Sequence, residues 1–194
     1  MAGRPKIYDE TAILDKAVEV FWEKGYANAT ADDLLHAMGI GKGSFYFAFK
    51  GGKEELFRKS MDRVVELNFQ AIRESLVTCE NPVQFIRDFF FSLTGADSPI
   101  GNKGCYFGNA LIQVSADDSG LKLIAGKYLH LLEEIFTEAV QRGKDLGLLQ
   151  TKEPAEALGA YLVNLWNGLN VTRRMETDQQ KLAELVRMNL NILN

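Results

Sequence analysis

Cysteine and histidine are scarce in this sequence. The chain has only two cysteines, Cys79 and Cys105, and two histidines, His36 and His130. Two cysteines are too few for a disulfide framework, and the four side chains do not fall at the short spacing of a zinc site. We therefore expect neither a disulfide-stabilised fold nor a bound metal, and no motif indicates a cofactor.

Long apolar runs are absent as well. No stretch of about 18 apolar residues suggests a membrane span, and the segment MAGRPKIYDE lacks the apolar core of a secretory signal. We expect a cytoplasmic protein that does not contact the membrane. The net charge of −4 argues against nucleic-acid binding over the whole surface. Positive charge is concentrated locally instead, in Lys42–Lys59 and in Arg4 and Lys6 of a basic N-terminal arm.

Motifs of known enzymes are also missing. The sequence has no G-x-S-x-G nucleophile elbow and no pair of histidines at metal-binding spacing. The segment HAMGIGKGSFYFAFKGGKEELF is rich in glycine and lysine, which is typical of phosphate binding. However, a P-loop would need glycine at His36, and a dinucleotide fingerprint would need glycine at Ser44. Both loops also require a preceding strand, so we expect no nucleotide site and no enzyme.

Helical periodicity dominates what is present. The first helical segment places Leu14, Ala17, Val18 and Phe21 at i, i+3, i+4 and i+7, one stripe of a helix that ends before Gly25. Similar patterns recur along the rest of the chain, and no segment is predicted to be a strand. The sequence therefore predicts an all-α protein with about nine helices.

A capped helix, a tight turn and a second short helix follow the first one. Thr30, with Asp33 three residues later, predicts a capping box, and Gly39 suits the left-handed position that ends a helix. After Gly39-Ile40-Gly41, the segment KGSFYFAF begins the second helix. This order matches a helix-turn-helix, in which the start of the second helix enters the major groove of DNA.

Small and polar residues at the start of the second helix are candidates for DNA contact. Gly43 and Ser44, which are small, would let the backbone come close to base edges beside Lys42. Thr30 and Tyr46 suit phosphate, because hydroxyls and helix N-terminal amides bind it. Gly-Lys-Gly-Ser alone would also fit a flexible surface turn, but the whole ordered pattern favours DNA.

The run AVEVFWEKGYANATADDLLHAMGIGKGSFYFAFKGGKEELF closely resembles the DNA-binding region of the TetR/AcrR family of transcriptional repressors. The opening GRPK is frequent in the same family. The segments GCYFGNALIQVSADD, AVQRGKDLGLL and LWNGLNVTRR resemble the regulatory domain of one of its branches. The resemblance is strong up to about residue 57 and looser beyond it.

The resemblance implies a homodimer with a three-helix DNA-binding domain, residues 1–52, and a larger helical domain, residues 53–194, that binds an effector and dimerises. The implied partners are a double-stranded DNA operator and a small molecule. Thr30 and Tyr46 match phosphate-contacting positions, while Lys42, Gly43 and Ser44 match the base-facing start of the recognition helix. The implied function is a repressor released from a pseudo-palindromic operator by its effector, with an activator as the alternative.

Three positions depart from the family pattern. Serine usually stands where Gly41 is found, as the cap of the recognition helix, and a polar residue or histidine usually stands at Ala48. The family lysine usually follows the last aromatic by three residues, whereas Lys53 follows Phe49 by four, with Lys50 between them. Either lysine is a candidate for the phosphate contact.

The regulatory half is rich in aromatic residues, most of which a helical core needs. The resemblance implies a pocket among the middle helices. Polar residues on apolar stretches either satisfy local backbone groups or orient a ligand there. The candidate ligand-binding residues are Phe89, Tyr106, Asn109, Gln113, Tyr128, Asn164, Trp166 and Asn167.

Cys105 begins a helix directly after Gly104 and close to Lys103. A helix N-terminus lowers the pKa of a thiol, which favours the reactive thiolate. An alternative hypothesis is therefore a repressor that senses electrophiles or oxidants through Cys105. The simpler interpretation is a small buried hydrophobic residue.

The last two helical segments suggest a dimer interface. Two such helices from each subunit would form an isologous four-helix bundle, although the same stripes would also serve to close the core of one chain. The predicted interface residues are Leu158, Leu162, Leu165, Leu169, Leu182, Leu185, Val186 and Asn189.

Overall fold

A computed structural model describes residues 9–95, 103–114 and 119–194. Within these ranges the chain is all-α, as the sequence predicts: nine α-helices and a 3₁₀ helix, with no strand. The helices are α1 (Glu10–Asn28), α2 (Ala31–Met38), α3 (Lys42–Ala48), α4 (Gly52–Thr78), α5 (Pro82–Phe91), α6 (Tyr106–Gln113), α7 (Ser119–Asp145), α8 (Ala155–Met175), α9 (Gln179–Asn189) and the 3₁₀ helix η1 (Leu190–Leu193).

Asp9 caps the start of helix α1, and its carboxylate accepts a hydrogen bond from the Thr11 amide. Gly25 leaves the helical conformation, with φ 75° and ψ 168°, a region that only glycine adopts readily. The predicted break at this residue is therefore correct, although helical hydrogen bonding resumes as far as Asn28. Ile13 is buried in the stripe, while Leu14, which the pattern placed there, is half-buried.

Helices α2 and α3 form the helix-turn-helix unit. Thr30 and Asp33 make the predicted capping box at the start of α2, and Gly39 ends the helix at φ 66°. Helix α3 is short, and Phe45 and Phe49 are both buried beneath it. These two rings lie one turn apart, with centroids separated by 5.5 Å, and they fix which face of α3 points outward.

Helix α7 is central to the remaining fold. It packs against α4, α5, α6 and α8, while α1 packs against α2, α4 and α6. The crossing of α7 and α8 is close at Gly159, where a Cβ would clash with Thr137. Helices α1, α4 and α6 therefore join the helix-turn-helix unit to the larger helical body.

The predicted dimer residues on the last two helices lie mostly inside a single chain. Only Leu185 and Asn189 are half-buried, and the other six are buried: Leu158, Leu162, Leu165, Leu169, Leu182 and Val186. Side chains already buried within one chain have little surface left to bury in a dimer. These six residues therefore pack within the chain, and the dimer interface itself stays a prediction. Helix α9 also ends at Asn189 and is followed by η1, whereas the pattern continued the helix.

Candidate nucleic-acid interface and adjoining cavity

The outward face of α3 presents polar and aromatic side chains to the surroundings. Lys42, Gly43 and Ser44 are exposed at its start. Tyr46 and Phe47 follow with 49% and 74% of their surface exposed. Large aromatic side chains left exposed on a seven-residue helix give up the stabilisation that their burial would provide. Such exposed apolar surface is typical of a site where another molecule binds.

Several side chains on this face have no hydrogen-bonding or ionic partner in the part of the chain that the structure describes. In the described ranges, no hydrogen bond or ion pair engages the side chains of Lys42, Ser44, Tyr46 or Lys50. Their donors and charges are therefore available to an external group. This is the arrangement that phosphate and base contacts require.

Phe47 is a residue that the sequence reasoning missed. Phe45 and Phe49 occupy the buried stripe, so the residue midway between them must point outward on a helix. That periodicity was the available signal, and it was hidden by the run of aromatic residues. An exposed phenyl ring on such a helix suits apolar contact with a thymine methyl group or with deoxyribose.

Two glycines on this face are not required by the packing of the protein itself. A Cβ added at Gly41 or at Gly43 would meet no heavy atom within 4 Å. Both have negative backbone φ values, so neither is needed for the left-handed conformation. A close approach by an external surface would explain small residues here, whereas internal packing does not.

Thr30 is already engaged in the capping box. Its hydroxyl donates to Asp33 Oδ2 at 2.8 Å and accepts from the Asp33 amide at 3.1 Å. Hydrogen bonding to Lys24, then to Thr30, lowers the pKa of Asp33 to about 2. The predicted phosphate contact by the Thr30 hydroxyl therefore competes with this cap, and free amides in the first turn of α2 are the alternative donors.

The structure places the two candidate lysines differently. Lys53 is half-buried, with Nζ donating to the Ala27 carbonyl at 3.2 Å and lying 4.8 Å from the centroid of the Tyr26 ring. Burial lowers the pKa of Lys53. Lys50 is exposed. Lys53 thus caps the end of α1, and Lys50 is the more accessible cation. Arg4 and Lys6, also predicted to contact DNA, lie outside the described residues.

A cavity of about 550 Å³ lies between α1 and the larger helical body. Its wall is built by α1, α4, α5, α6, α7 and α8, and most of its lining is apolar or aromatic. Three predicted ligand-binding residues, Phe89, Tyr106 and Trp166, line it together with Cys105. Its size lies within the usual range for a small-molecule site.

The other five predicted ligand residues do not line this cavity. Asn109 binds the Lys103 carbonyl, and the Tyr128 hydroxyl donates to Asp62. Gln113 is exposed and lies over Gly25 of α1. It therefore contacts another helix and not the cavity for which it was predicted. The last two are on α8: Asn164 is exposed, and Asn167 is half-buried.

Cys105 has the predicted position but not the predicted acidity. Its Sγ accepts a hydrogen bond from the Gly108 amide at 3.3 Å, as the N-cap of α6. Burial nevertheless raises the pKa of the thiol, and the hydrogen bonds at the start of the helix only partly oppose this. The expected lowering of the pKa is therefore wrong, because removal from water outweighs the helix N-terminus.

Helix α6 connects the cavity to α1. The Trp22 indole Nε1 donates to the Gly104 carbonyl at 2.9 Å, and its ring lies edge-on to Tyr106 at 5.4 Å. Tyr106 in turn shares a hydrogen bond of 2.7 Å with Ser60 of α4. The same short helix therefore touches the cavity, α1 and α4.

Among the described residues, no group of three or more His, Cys, Asp or Glu side chains is placed to hold a metal ion. None of the helices in the described part of the chain combines the length and the apolar character needed to cross a bilayer.

Comparison with known proteins adds three findings. The family model of bacterial regulatory proteins of the tetR family matches residues 13–59. The HTH-type transcriptional regulator YezE of Bacillus subtilis (strain 168) is 30% identical over 194 residues, which span 99% of this chain and 100% of YezE. The HTH-type transcriptional repressor ComR of Escherichia coli (strain K12) is 26% identical over 196 residues, spanning 98% of this chain and 91% of ComR.

A solved structure supports the same fold. A cysteine mutant of the TetR-family regulator CifR, complexed with a 26-base-pair double-strand operator DNA, has a TM-score of 0.86 to this chain. The two share 23% identity, and the match covers 99% of this chain and 100% of CifR.

Proposed function

This chain belongs to the TetR family of bacterial regulatory proteins, and from that premise we propose that it is a dimeric repressor which leaves a pseudo-palindromic operator when a small effector binds. Its relatives are regulators of transcription, and ComR is a repressor. We propose this activity rather than an enzymatic one, and a cytoplasmic site of action, where operator DNA is found.

The observation that carries the proposal is the outward face of α3. Two buried aromatic rings anchor the helix, while its exposed start offers an unpaired cation, an unpaired hydroxyl and a glycine with open space around it. A recognition helix needs this combination, because its N-terminal residues must reach base edges while its other side holds it in place.

We assign the DNA contacts by chemistry. Lys42 and Ser44 would meet base edges, and Gly43 would allow the close approach. Tyr46 and Lys50 would contact phosphate, with Lys53 supporting the end of α1 instead. Phe47 would make the apolar contact at the groove wall.

We propose that the dimer uses the exposed side of α8 and α9 rather than the buried stripes. Val171 and Met175 on α8 are 60% and 82% exposed, and Met188 on α9 is 65% exposed. Gly168 lies one turn before Val171, and a Cβ added there would meet no heavy atom of the described residues within 4 Å. The Tyr161 hydroxyl donates to Asn189 Oδ1 at 3.0 Å and ties the two helices together. Exposed apolar side chains of this kind suit a two-fold symmetric contact.

The effector response would pass through the cavity. Its wall contains residues of α1 as well as the start of α6, so an occupant would touch both the body and the DNA-binding unit. An effector weakens DNA binding only if it binds one arrangement of the body and the DNA-binding unit more tightly than the other.

We propose a DNA-binding domain of residues 1–52 and an effector-binding and dimerisation domain of residues 53–194. The boundary lies at the start of α4, which begins at Gly52.

The test is selection of bound duplexes from a random pool by the full-length chain. We expect inverted repeats whose half-sites are spaced by about 10–10.5 base pairs or a multiple of this. The variant K42A should then change base preference as well as affinity, whereas Y46F, which removes only a hydroxyl, should lower affinity for all sequences alike. A pool without symmetric enrichment would contradict the dimeric repressor.

A further inference from the structure

Phe47 differs in exposure from every other phenylalanine of the chain. The sequence contains 12 phenylalanines, all within the described residues, and the others are buried or half-buried. Phe47 has 74% of its surface exposed, and in the described part of the chain its ring contacts no other aromatic ring. A phenyl ring left in water gains free energy of burial from any apolar surface that covers it. The described residues provide no such cover, so an external apolar group is the partner that this ring fits.

The position of Phe47 on α3 directs its ring away from the protein. Phe45 and Phe49 are buried beneath the helix, and at about 100° per residue Phe47 lies nearly opposite both. Tyr46 lies on a flank instead, where its ring is 5.1 Å from that of Phe45 and close to Gly52. Phe47 is therefore the large side chain that projects furthest toward a groove in which α3 is seated.

Gly43 leaves one side of the Phe47 ring accessible. The two residues are four apart and share one face of the helix, and an aromatic side chain on a helix leans toward the preceding turn. A Cβ added at Gly43 would meet no heavy atom of the described residues within 4 Å. An external methyl group can therefore approach the phenyl ring and the helix backbone together at this place.

The major groove offers one apolar group of this size that differs between bases. Among the four bases only thymine presents a methyl group there, on C5, where the floor of the groove meets its wall. Deoxyribose is also apolar, but it lies along the walls and is the same for every base. We propose that Phe47 recognises one thymine in each half-site through the C5-methyl group. The inference rests on the proposed function for the operator itself and adds the identity of one base.

Deoxyuridine tests the contact because it differs from thymidine by this methyl group alone. Each thymine of the selected operator is replaced in turn, and affinity for the full-length chain is measured by fluorescence anisotropy. At one position, uracil should weaken binding about fourfold, the effect of one buried methyl group. Replacement at the symmetric position as well should weaken binding about fifteenfold, since distant sites act independently.

Cytosine gives a second comparison at the same position. A duplex with cytosine there lacks the methyl group, and a duplex with 5-methylcytosine restores it without changing the base pair. The methylated duplex should bind about fourfold more tightly than the unmethylated one.

Variants identify the side chain responsible. F47A removes the ring, so it should bind the thymine operator more weakly than the wild type and bind the thymine and uracil operators equally. Its urea unfolding should match that of the wild type, because the Phe47 ring is not part of the core. Y46F is the matched control: it loses a hydroxyl from the neighbouring residue and should keep the fourfold preference for thymine over uracil.

Three results would overturn the inference: half-sites in which no thymine is sensitive to replacement by uracil, the same sensitivity in F47A, or full operator affinity of F47A. Uniform weakening in F47A together with an insensitive wild type would assign the ring to deoxyribose and would equally overturn it. An operator bound without dependence on a methyl group would remove this inference alone. A chain that selects no operator would remove the proposed function.

Discussion

Gln113 of α6 lies across Gly25 of α1, and its amide occupies the space into which a Cβ on residue 25 would project. The contact joins the end of α6 to the break in α1. The contact requires glycine at residue 25 for two reasons: the backbone there has a positive φ, and a Cβ would occupy the space that the Gln113 amide fills.

Replacing Gly25 with alanine should therefore lower stability. The backbone at φ 75° and ψ 168° is accessible mainly to glycine, and forcing another residue into it costs about 1–3 kcal/mol. Urea unfolding would measure the loss. The double variant G25A/Q113A should recover only the part due to the clash. A G25A variant as stable as the wild type would show that α1 adopts another path at this break.

Replacing Gly43 with alanine should separate stability from DNA binding. The added methyl group meets no heavy atom of the described residues within 4 Å, and it favours the helix by about 0.5–1 kcal/mol. The same methyl group would hold α3 away from base edges, so affinity for the selected operator should fall, as measured by fluorescence anisotropy. G126A, on α7 with open space around it, is the matched control and should gain stability without changing DNA affinity. Equal DNA affinity of G43A and the wild type would argue against close approach at residue 43.

Replacing Lys50 with alanine should weaken DNA binding, whereas replacing Lys53 with alanine should lower stability. K50A should weaken binding to all duplexes and reduce the slope of log affinity against log salt by about one per subunit. K53A should lose the contact with Tyr26, worth roughly 0.5–1 kcal/mol in urea unfolding. The reverse pattern, with the smaller salt slope in K53A, would return the phosphate contact to Lys53.

The ionised Asp33 carboxylate should stabilise the helix-turn-helix unit, and this stabilisation should be lost at acid pH. Its folded pKa of about 2 lies below the usual value near 4, so its stabilising effect is fully present above about pH 4 and is lost as the pH falls toward 2. Thermal unfolding of the wild type and D33N should differ at neutral pH and converge over that window. A difference that persisted unchanged at pH 2 would mean that the charge of Asp33 is not the cause.

Charge placed on the exposed face of α8 and α9 should prevent formation of the proposed dimer. V171D and M188D each put a carboxylate where we propose that two copies meet, and burying an unpaired charge is costly. Light scattering after size exclusion should report monomers. L123D on α7, where Leu123 is 76% exposed, is the control for adding a charge to an exposed apolar site and should remain dimeric. A dimeric V171D would place the interface elsewhere.

The sequence pattern predicted the helices well because their apolar stripes repeat at the helical period. The bounds of α8 and the break at Gly25 both follow from local signals of this kind. The pattern could not separate the two sides of α8, because Leu162 and Val171 are both apolar and only tertiary packing decides which faces the core. Cys105 shows the same limit, since its place at a helix start is local and its burial is not.

The wall of the cavity includes Asp15, Val18, Glu19 and Trp22, all on the first helix of the chain. Replacing roughly the first fifty residues with those of a relative that binds another operator would therefore also change the residues on one wall of the cavity. Such hybrids should acquire altered ligand preferences along with their new operators. Under the proposed function the two specificities share a helix, so changing the operator preference alone requires these four side chains to be kept together with the larger helical body.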